Sequence, residues 1–348
     1  MNKFGISLYL STGYNTNKSI IEKAILNGAS YAFTSLQIPE ENINNYNIEV
    51  NKLLELCNNK LNIIVDISPE TLTKLNINNY DELKALGITH IRLDYGFSYD
   101  QIIELTKLFN IVFNASTFSE QDYKELKVRK ANFKSFIACH NFYPKPYTGL
   151  SINKLININK RLKGYGMKTM AFIPSDNILR GPLYLGLPTL EEHRNNDVLY
   201  NLLELKYNSI IDIPMIADIA IKDETYSSLN NYINGYITLK CTLDNSYSRF
   251  LNVILNDRID SSEYLIRCIE SRTTLSSDSS IAVYNTVDRT IGSICIGNID
   301  YKRYNGELEI CKKNLGVDSK VNVIGNINAE YIKYIKFIGN GIKFKLIL

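Results

Sequence analysis

The strongest constraint on what this chain can become is an alternation. From the N-terminus to about residue 221, short β-rich runs alternate with longer amphipathic stretches, and each run ends in a polar residue. Such repetition is the sequence form of parallel strands joined by helical crossovers. Residues 4–10, 30–34, 62–67, 90–95, 111–115, 135–139 and 168–173, with a last run inside 209–221, read as strands. Helical stretches at 18–27, 50–58, 80–86, 99–108, 120–129, 152–163 and 190–205 lie between them. Eight units in roughly 220 residues fit a closed (β/α)8 TIM barrel of the α/β class better than an open doubly wound sheet. No G-x-G-x-x-G follows the first run, which weighs further against a dinucleotide fold.

A barrel strand sends alternate residues to the interior and to the helices. In the first run Ile6, Leu8 and Leu10 share one face and Gly5, Ser7 and Tyr9 the other. In the fourth, Ile91 and Leu93 take the helix side, so His90, Arg92 and Asp94 point inward. Ile64 pairs with Asp66 on one face of the third run, and Val112 with Asn114 in the fifth. The polar members gather at the C-terminal ends, where barrel enzymes carry their chemistry.

One stretch stands out as a site loop. Residues 140–151 begin His140-Asn141-Phe142-Tyr143-Pro144-Lys145-Pro146-Tyr147 and end before a helix that starts near Ser151. The two prolines remove backbone donors and hold the residues before them extended, while Gly149 permits the turn. His140, Asn141, Tyr143, Lys145 and Tyr147 offer mixed donors and acceptors with flat apolar faces, which suits a sugar or phosphosugar. The plainer alternative is a rigid connector with a capped helix start.

After about residue 230 the texture changes to short alternating runs at 235–243, 264–270, 281–287, 292–297, 307–312, 321–327 and 342–348. This predicts a separate small β-barrel domain, giving domains 1–230 and 231–348 with the boundary inside 227–234. A balance of 39 basic against 36 acidic residues leaves +3, too little to imply nucleic acid or an anionic membrane as partner. Six scattered cysteines without a C-x-x-C pair read as buried free thiols in a reducing compartment. The first apolar run is too short for a signal peptide, and none approaches the roughly 20 residues of a spanning helix, so a cytoplasmic location is expected.

Asp66 and Asp94 end adjacent strands, about 4.8 Å apart, which brings their carboxyls toward the roughly 5 Å spacing of a retaining glycosidase pair. Against this, Arg92 also points inward, and a buried Arg needs an acidic partner, which either aspartate could be. Glu40 and Glu41 could reach over the same face, or simply begin a helix at its positive dipole end. Residues 180–191 form a second Gly/Pro-stiffened loop carrying Arg180, suited to a phosphate or carboxylate unless it pairs with Asp176 or Glu191. Thr189 reads as an N-cap, with Glu192 at capping-box spacing. No H-x-H or H-x-x-x-H spacing occurs, so neither a catalytic metal nor a cofactor is expected. In the second domain Arg267, Arg272, Arg289, Lys302 and Arg303 scatter around Tyr264, Tyr301 and Tyr304; such a set is ordinarily a solvated face and otherwise helps close a site over an anion.

Several runs together carry a resemblance. Gly5-Ile6-Ser7-Leu8-Tyr9, the run from Phe33 through Ser35-Leu36-Gln37 to Glu41, Arg92-Leu93-Asp94-Tyr95-Gly96-Phe97, Asn114-Ala115-Ser116-Thr117, the two stiffened loops and Arg289-Thr290-Ile291-Gly292-Ser293-Ile294 look like the bacterial 6-phospho-N-acetylmuramidase family. The likeness spans nearly the whole chain. It implies a TIM barrel followed by a cyclophilin-like β-barrel, and a cytoplasmic exo-glycosidase. The implied reaction releases N-acetylmuramic acid 6-phosphate from a phosphorylated muramyl disaccharide during cell-wall recycling. Gln37 stands where the family favours His, Leu185 where Glu is frequent, and Ala217 and Gly297 alter short motifs around Asp218 and Asn298.

On this reading Asp94 is a catalytic carboxyl with Asp66 or Glu40 as its partner. Arg180 and Lys145 take the phosphate, Asn114, Asn141 and Tyr143 orient the ring, Tyr147 stacks, and Arg92 and His140 complete the substrate site. The substrate's 2-acetamido group could itself act as nucleophile, leaving one acid and one positioning carboxylate for the protein. The alternative is a non-catalytic phosphosugar-binding protein on a degenerate scaffold, motivated by Leu185 and Gln37.

Overall fold

The computed structural model describes residues 3–36, 46–260, 262–273, 280–339 and 341–348. Among them the chain divides into two compact units, Lys3–Leu229 and Asn230–Leu348.

In the first unit the strands are β1 (Phe4–Ser7), β2 (Ala29–Ser35), β3 (Asn62–Ile67), β4 (His90–Leu93), β5 (Asn110–Asn114), β6 (Ile137–Cys139), β7 (Lys168–Ile173) and β8 (Ile213–Ile216). They pair in parallel, each with the next, and β1 pairs with β8 to close the barrel. The helices are α1 (Tyr14–Leu26), α2 (Tyr46–Cys57), α3 (Thr71–Leu75), α4 (Tyr80–Ala85), α5 (Tyr99–Leu105), α6 (Glu120–Val128), α7 (Ile152–Gly164), α8 (Val198–Leu203) and α9 (Asp223–Ile233). Local chemistry starts several of them. Ser98 and Ser119 form reciprocal capping boxes with Gln101 and Asp122, and Ser151 caps α7.

The barrel interior obeys the alternation. Tyr31 and Phe33 from β2, Ile64 from β3, Val112 from β5, Ile137 and Cys139 from β6, Met170 and Phe172 from β7, and Ile213 and Met215 from β8 fill it as one apolar cluster. Gly5 is required here. A Cβ on it would sit 2.8 Å from the Tyr31 Cβ and closer still to Met215, because β1 and its neighbours crowd the narrow interior.

The expected helix at 190–205 is not continuous. Thr189 does not cap it: its hydroxyl accepts from the Phe172 amide at 2.9 Å and donates to the Asn141 carbonyl at 2.9 Å, tying β7 to the site loop. A single turn at Glu191–His193 follows, and α8 begins later under an Asp197 cap.

The second unit is a curled, mostly β half-barrel with strands β9 (Tyr236–Leu243), β10 (Ile254–Leu255), β11 (Leu265–Arg267), β12 (Ser293–Gly297), β13 (Leu308–Cys311), β14 (Val321–Ile327) and β15 (Lys343–Ile347). Their order is β10-β15-β9-β14-β12-β13-β11. The β15–β9 pair is parallel and the other pairs are antiparallel. Residues 281–287 join none of the named strands. Side chains hold them instead, with Asn322 Oδ1 accepting from the Tyr284 amide at 3.2 Å and Asn285 Nδ2 donating to the Val323 carbonyl at 2.6 Å. All six cysteines are buried and free.

Candidate active site

A cavity of about 400 Å³ opens where β2, β3, β4, β6 and β7 end. Its floor is aromatic. Phe172 meets Phe33 and Phe142 edge to face, with ring centroids 5.5 and 5.3 Å apart. Its polar wall follows from the parity of β3 and β4, which sends Asp66 and Arg92 inward side by side. Arg92 Nη1 donates to both Asp66 carboxylate oxygens at 3.0 and 3.1 Å, and Nη2 donates to Asn141 Oδ1 at 2.6 Å. Asn141 Oδ1 also accepts from Asn114 Nδ2 at 3.3 Å. Tyr143 and Ser35 complete this side.

Burial raises the Asp66 carboxyl above the ordinary carboxylate range. The Arg92 guanidinium opposes that, while the Asp94 carboxylate adds to it. A raised carboxyl in a cleft marks a proton donor as a functional candidate.

Arg180 forms the opposite rim. Its guanidinium lies 4.3 Å from the Tyr9 ring centroid, and Tyr9 in turn donates its hydroxyl to the Ala217 carbonyl. Neither carboxylate offered as its partner by the sequence takes it. Asp176 accepts from the Lys222 amide and the Thr225 hydroxyl, and Glu191 pairs with Arg194. Arg180 therefore faces the cavity with its guanidinium unneutralised by either.

Two carboxylate anchors, Asp218 buried and Glu191 half-buried, hold the loops that carry these groups. Asp218 accepts from the amides of Arg180 at 3.0 Å, Ser175 at 3.0 Å and Leu187 at 3.2 Å, so it fixes the loop after β7. Glu191 accepts from the amides of Tyr147 at 2.9 Å and Gly149 at 2.8 Å and from Arg194 Nε at 2.7 Å. Arg194 Nη2 also donates to the second Glu191 oxygen at 2.9 Å and to the Tyr143 carbonyl at 3.0 Å, and Nη1 donates to the Gly186 carbonyl at 3.0 Å. The two site loops are thus knotted to each other. The Arg194 hydrogen bond, reinforced by the two backbone amides, holds the Glu191 carboxyl down at about 2. At Gly149 a Cβ would come 2.7 Å from the Glu191 nitrogen, so the knot excludes any side chain there.

The structure gathers Asp66, Arg92, Asn141, Tyr143 and Arg180 around one cavity, with Asn114 joined through Asn141. Asp94 stands just beyond β4, exposed, and lines an adjoining cavity of about 210 Å³ together with Asn114. Lys145 and Tyr147 lie outside the lining. Tyr147 is 94% exposed and Lys145 is also in solvent, because the Glu191 knot turns this part of the loop outward.

His140, expected in the substrate site, does not reach it. It is fully buried on the helix side, with Nε2 2.8 Å from Asn159 Oδ1 of α7, and Asn159 Nδ2 donates to the Ser209 carbonyl at 2.7 Å. Burial lowers its pKa to about 4, so it is a neutral packing residue and cannot touch a ligand in the mouth. Glu40 and Gln37 lie outside the described residues.

Sequence reasoning missed Tyr9 and Ser35 as lining groups, although parity already placed Tyr9 on the interior face. It also missed the structural work of Asp218 and Arg194. Among the described residues no group of three or more His, Cys, Asp or Glu is placed to hold a metal ion. No helix among them is long and apolar enough to cross a membrane.

Fold and mouth together define the class: a TIM-barrel protein with a polar site at the C-terminal end of its strands and a β-domain attached. The chain belongs to the 6-phospho-N-acetylmuramidase family, whose N-terminal part matches residues 4–231 and whose C-terminal part matches residues 236–347. By its name this is a family of glycosidases. Among solved structures, a conserved protein of unknown function from Enterococcus faecalis is 30% identical, with a TM-score of 0.83 over 100% of this chain and 96% of that one. An uncharacterized B. cereus protein is 27% identical, with a TM-score of 0.77 over 100% of both chains. Comparison with curated proteins gives no match.

Proposed function

We propose that the chain is an exo-glycosidase that hydrolyses 6-phospho-N-acetylmuramyl-N-acetylglucosamine to N-acetylmuramic acid 6-phosphate and N-acetylglucosamine, acting in the cytoplasm in peptidoglycan recycling. The observation that carries this reading is one cavity lined by two guanidiniums, Arg92 and Arg180, with the raised Asp66 carboxyl in its polar wall above the aromatic floor. The family's name supports the reaction class and a phosphorylated muramyl substrate.

In this mechanism Arg180 takes the phosphate, because Asp176 and Glu191 are occupied elsewhere, the nearby Asp218 carboxylate is spent on three backbone amides, and a guanidinium fork matches a phosphate face. Phe33, Phe142 and Phe172 give the sugar a flat apolar surface, and Asn141 and Tyr143 orient its hydroxyls. Asp66 protonates the leaving oxygen as the substrate's own 2-acetamido oxygen attacks the anomeric carbon, and water then opens the cyclic intermediate; Asp94, which lines a second cavity and whose charge bears on Asp66, is the carboxylate that positions the amide. Six buried free thiols support the reducing compartment, and a cyclophilin-like second domain goes with the same family reading.

Product release from the phosphorylated disaccharide, followed by mass spectrometry for wild type, Asp66→Asn and Asp94→Asn, tests the proposal. Turnover by wild type and its loss in Asp66→Asn are expected; wild-type rates in Asp66→Asn would remove that residue from the chemistry. A binding protein without turnover is the second reading. Leu185, 48% exposed at a position where the resemblance makes Glu frequent, favours it, and saturable binding with no hydrolysis by wild type would establish it.

A further inference from the structure

We propose that the second unit carries an anion site of its own, in which Arg258 and Arg272 grip a small phosphate monoester beside the Glu307 carboxylate. A cavity of about 460 Å³ lies between the loop before β11 and the turn Glu270–Arg272. Arg258, Asp260, Arg272 and Glu307 supply its polar lining, and Ile259 and Ile269 give it apolar sides.

The guanidiniums around it are held in place. Glu307, 2% exposed, pairs with Arg267 at 2.8 Å and lies 3.8 Å from Arg272 Nη1. Arg272 Nη2 donates to the Arg303 carbonyl at 3.2 Å, and Arg303 Nη2 donates to the Tyr304 hydroxyl at 2.7 Å. The Tyr304 ring has Arg267, Arg272 and Arg303 at 5.9, 5.3 and 4.8 Å from its centroid. Arginines on an ordinary solvated face spread apart, whereas these converge on one ring and one buried carboxylate.

Charge does not balance within the group. Within the lining Arg258 and Arg272 balance Asp260 and Glu307; Arg267 and Arg303, gathered on Tyr304 just outside it, bring an excess of two positive charges to the cluster. Glu309, opposite Arg267 in the β11–β13 register, is pushed up to about 7 by burial and by Glu307, so it offsets only part of that excess. A phosphate monoester carries about −1.5 to −2 at neutral pH and matches the excess, where a carboxylate would leave most of it. Arg258 is the arm that can swing. Its partner Asp260 sits 67% exposed, and so open an ion pair is worth little against a desolvated phosphate.

The test is calorimetric titration of the full chain carrying Arg180→Ala with N-acetylglucosamine 6-phosphate, using N-acetylglucosamine as the uncharged control. Saturable binding of the phosphate ester alone is expected, weakened about tenfold or more by Arg258→Gln with Arg272→Gln. Those two substitutions in the wild-type background should leave turnover at the barrel unchanged. Independently of folding in the variants, the phosphate ester should slow phenylglyoxal modification of Arg258 and Arg272 in the wild-type chain. Absent binding, binding indifferent to the double substitution, or absent protection would each overturn the proposal.

Discussion

Arg92 meets Asp66 as a two-pronged pair, one guanidinium nitrogen reaching both carboxylate oxygens at 3.0 and 3.1 Å while the other holds Asn141 at 2.6 Å. Parity explains why. Both residues end adjacent parallel strands in register, so their side chains leave the barrel wall on the same side and at the same height. The pair joins β3 and β4 to the loop after β6, and an acid, a cation and an amide become parts of one network.

Asp66→Asn should lower kcat by about 10²- to 10⁴-fold, the usual worth of a positioned proton donor. The amide also presents a donor where Arg92 Nη1 now finds two acceptors, so a loss of about 1–3 kcal/mol in stability should accompany it. Rates must therefore be scored per folded molecule, with the folded fraction taken from denaturant titration. Undiminished kcat in the folded fraction would contradict the acid role.

Glu191 is depressed to about 2 in the folded chain. A carboxyl lowered on folding contributes stability above its unfolded pKa of about 4.5, and that contribution is lost as pH falls through about 2. Melting temperature should therefore fall between these values in wild type and fall less steeply in Glu191→Gln. Parallel curves would show that the knot between the two loops contributes nothing to folding.

For His140 the sign is the same and the window differs. Its folded pKa of about 4 lies below the ordinary 6.5, so its neutral form stabilises the fold above about 6.5 and that support fades as pH drops toward 4. His140→Ala should cost about 1–3 kcal/mol by orphaning the Asn159 amide oxygen. Activity per folded molecule should stay within a few-fold of wild type. A collapse of kcat without loss of stability would return His140 to the active site.

Gly149→Ala should disturb the site from a distance. The new methyl meets the Glu191 nitrogen at 2.7 Å, so the loop after β6 must shift and Tyr143 with it. An increase in KM together with a destabilisation of about 1–3 kcal/mol is expected from activity assays and thermal melts. Wild-type values for both would mean that the loop yields freely.

The barrel was legible because its message is repeated: the alternation fixes strand, helix and facing at each unit, and Asp66, Arg92 and Asn141 all point inward as period two requires. The same rule, carried one residue past Cys139, would have turned His140 outward. Its amide still bonds the Met170 carbonyl at 2.9 Å, so the strand geometry persists there. A histidine beside a proline-rich loop has the composition of a functional group, and only parity tells it apart from a packing residue. Asp94 left the main cavity because it stands at the end of its strand, where alternation no longer governs direction. The knot of Glu191 with Arg194 and the Asp218 anchor left no readable sign, since each joins backbone groups distant along the chain. Thr189 had the spacing of a cap and lost that role to tertiary hydrogen bonds with Phe172 and Asn141.

The claim on which the rest depends is that the barrel mouth grips a phosphorylated sugar through Arg180. Its most direct measurement is the ratio of kcat/KM for a 6-phosphorylated chromogenic muramide to that for its unphosphorylated twin, in wild type and Arg180→Ala. A large ratio in wild type that falls about 10- to 100-fold in the variant is predicted, as the loss of charge-assisted hydrogen bonds to phosphate requires. An unchanged ratio would place the phosphate elsewhere and contradict the account.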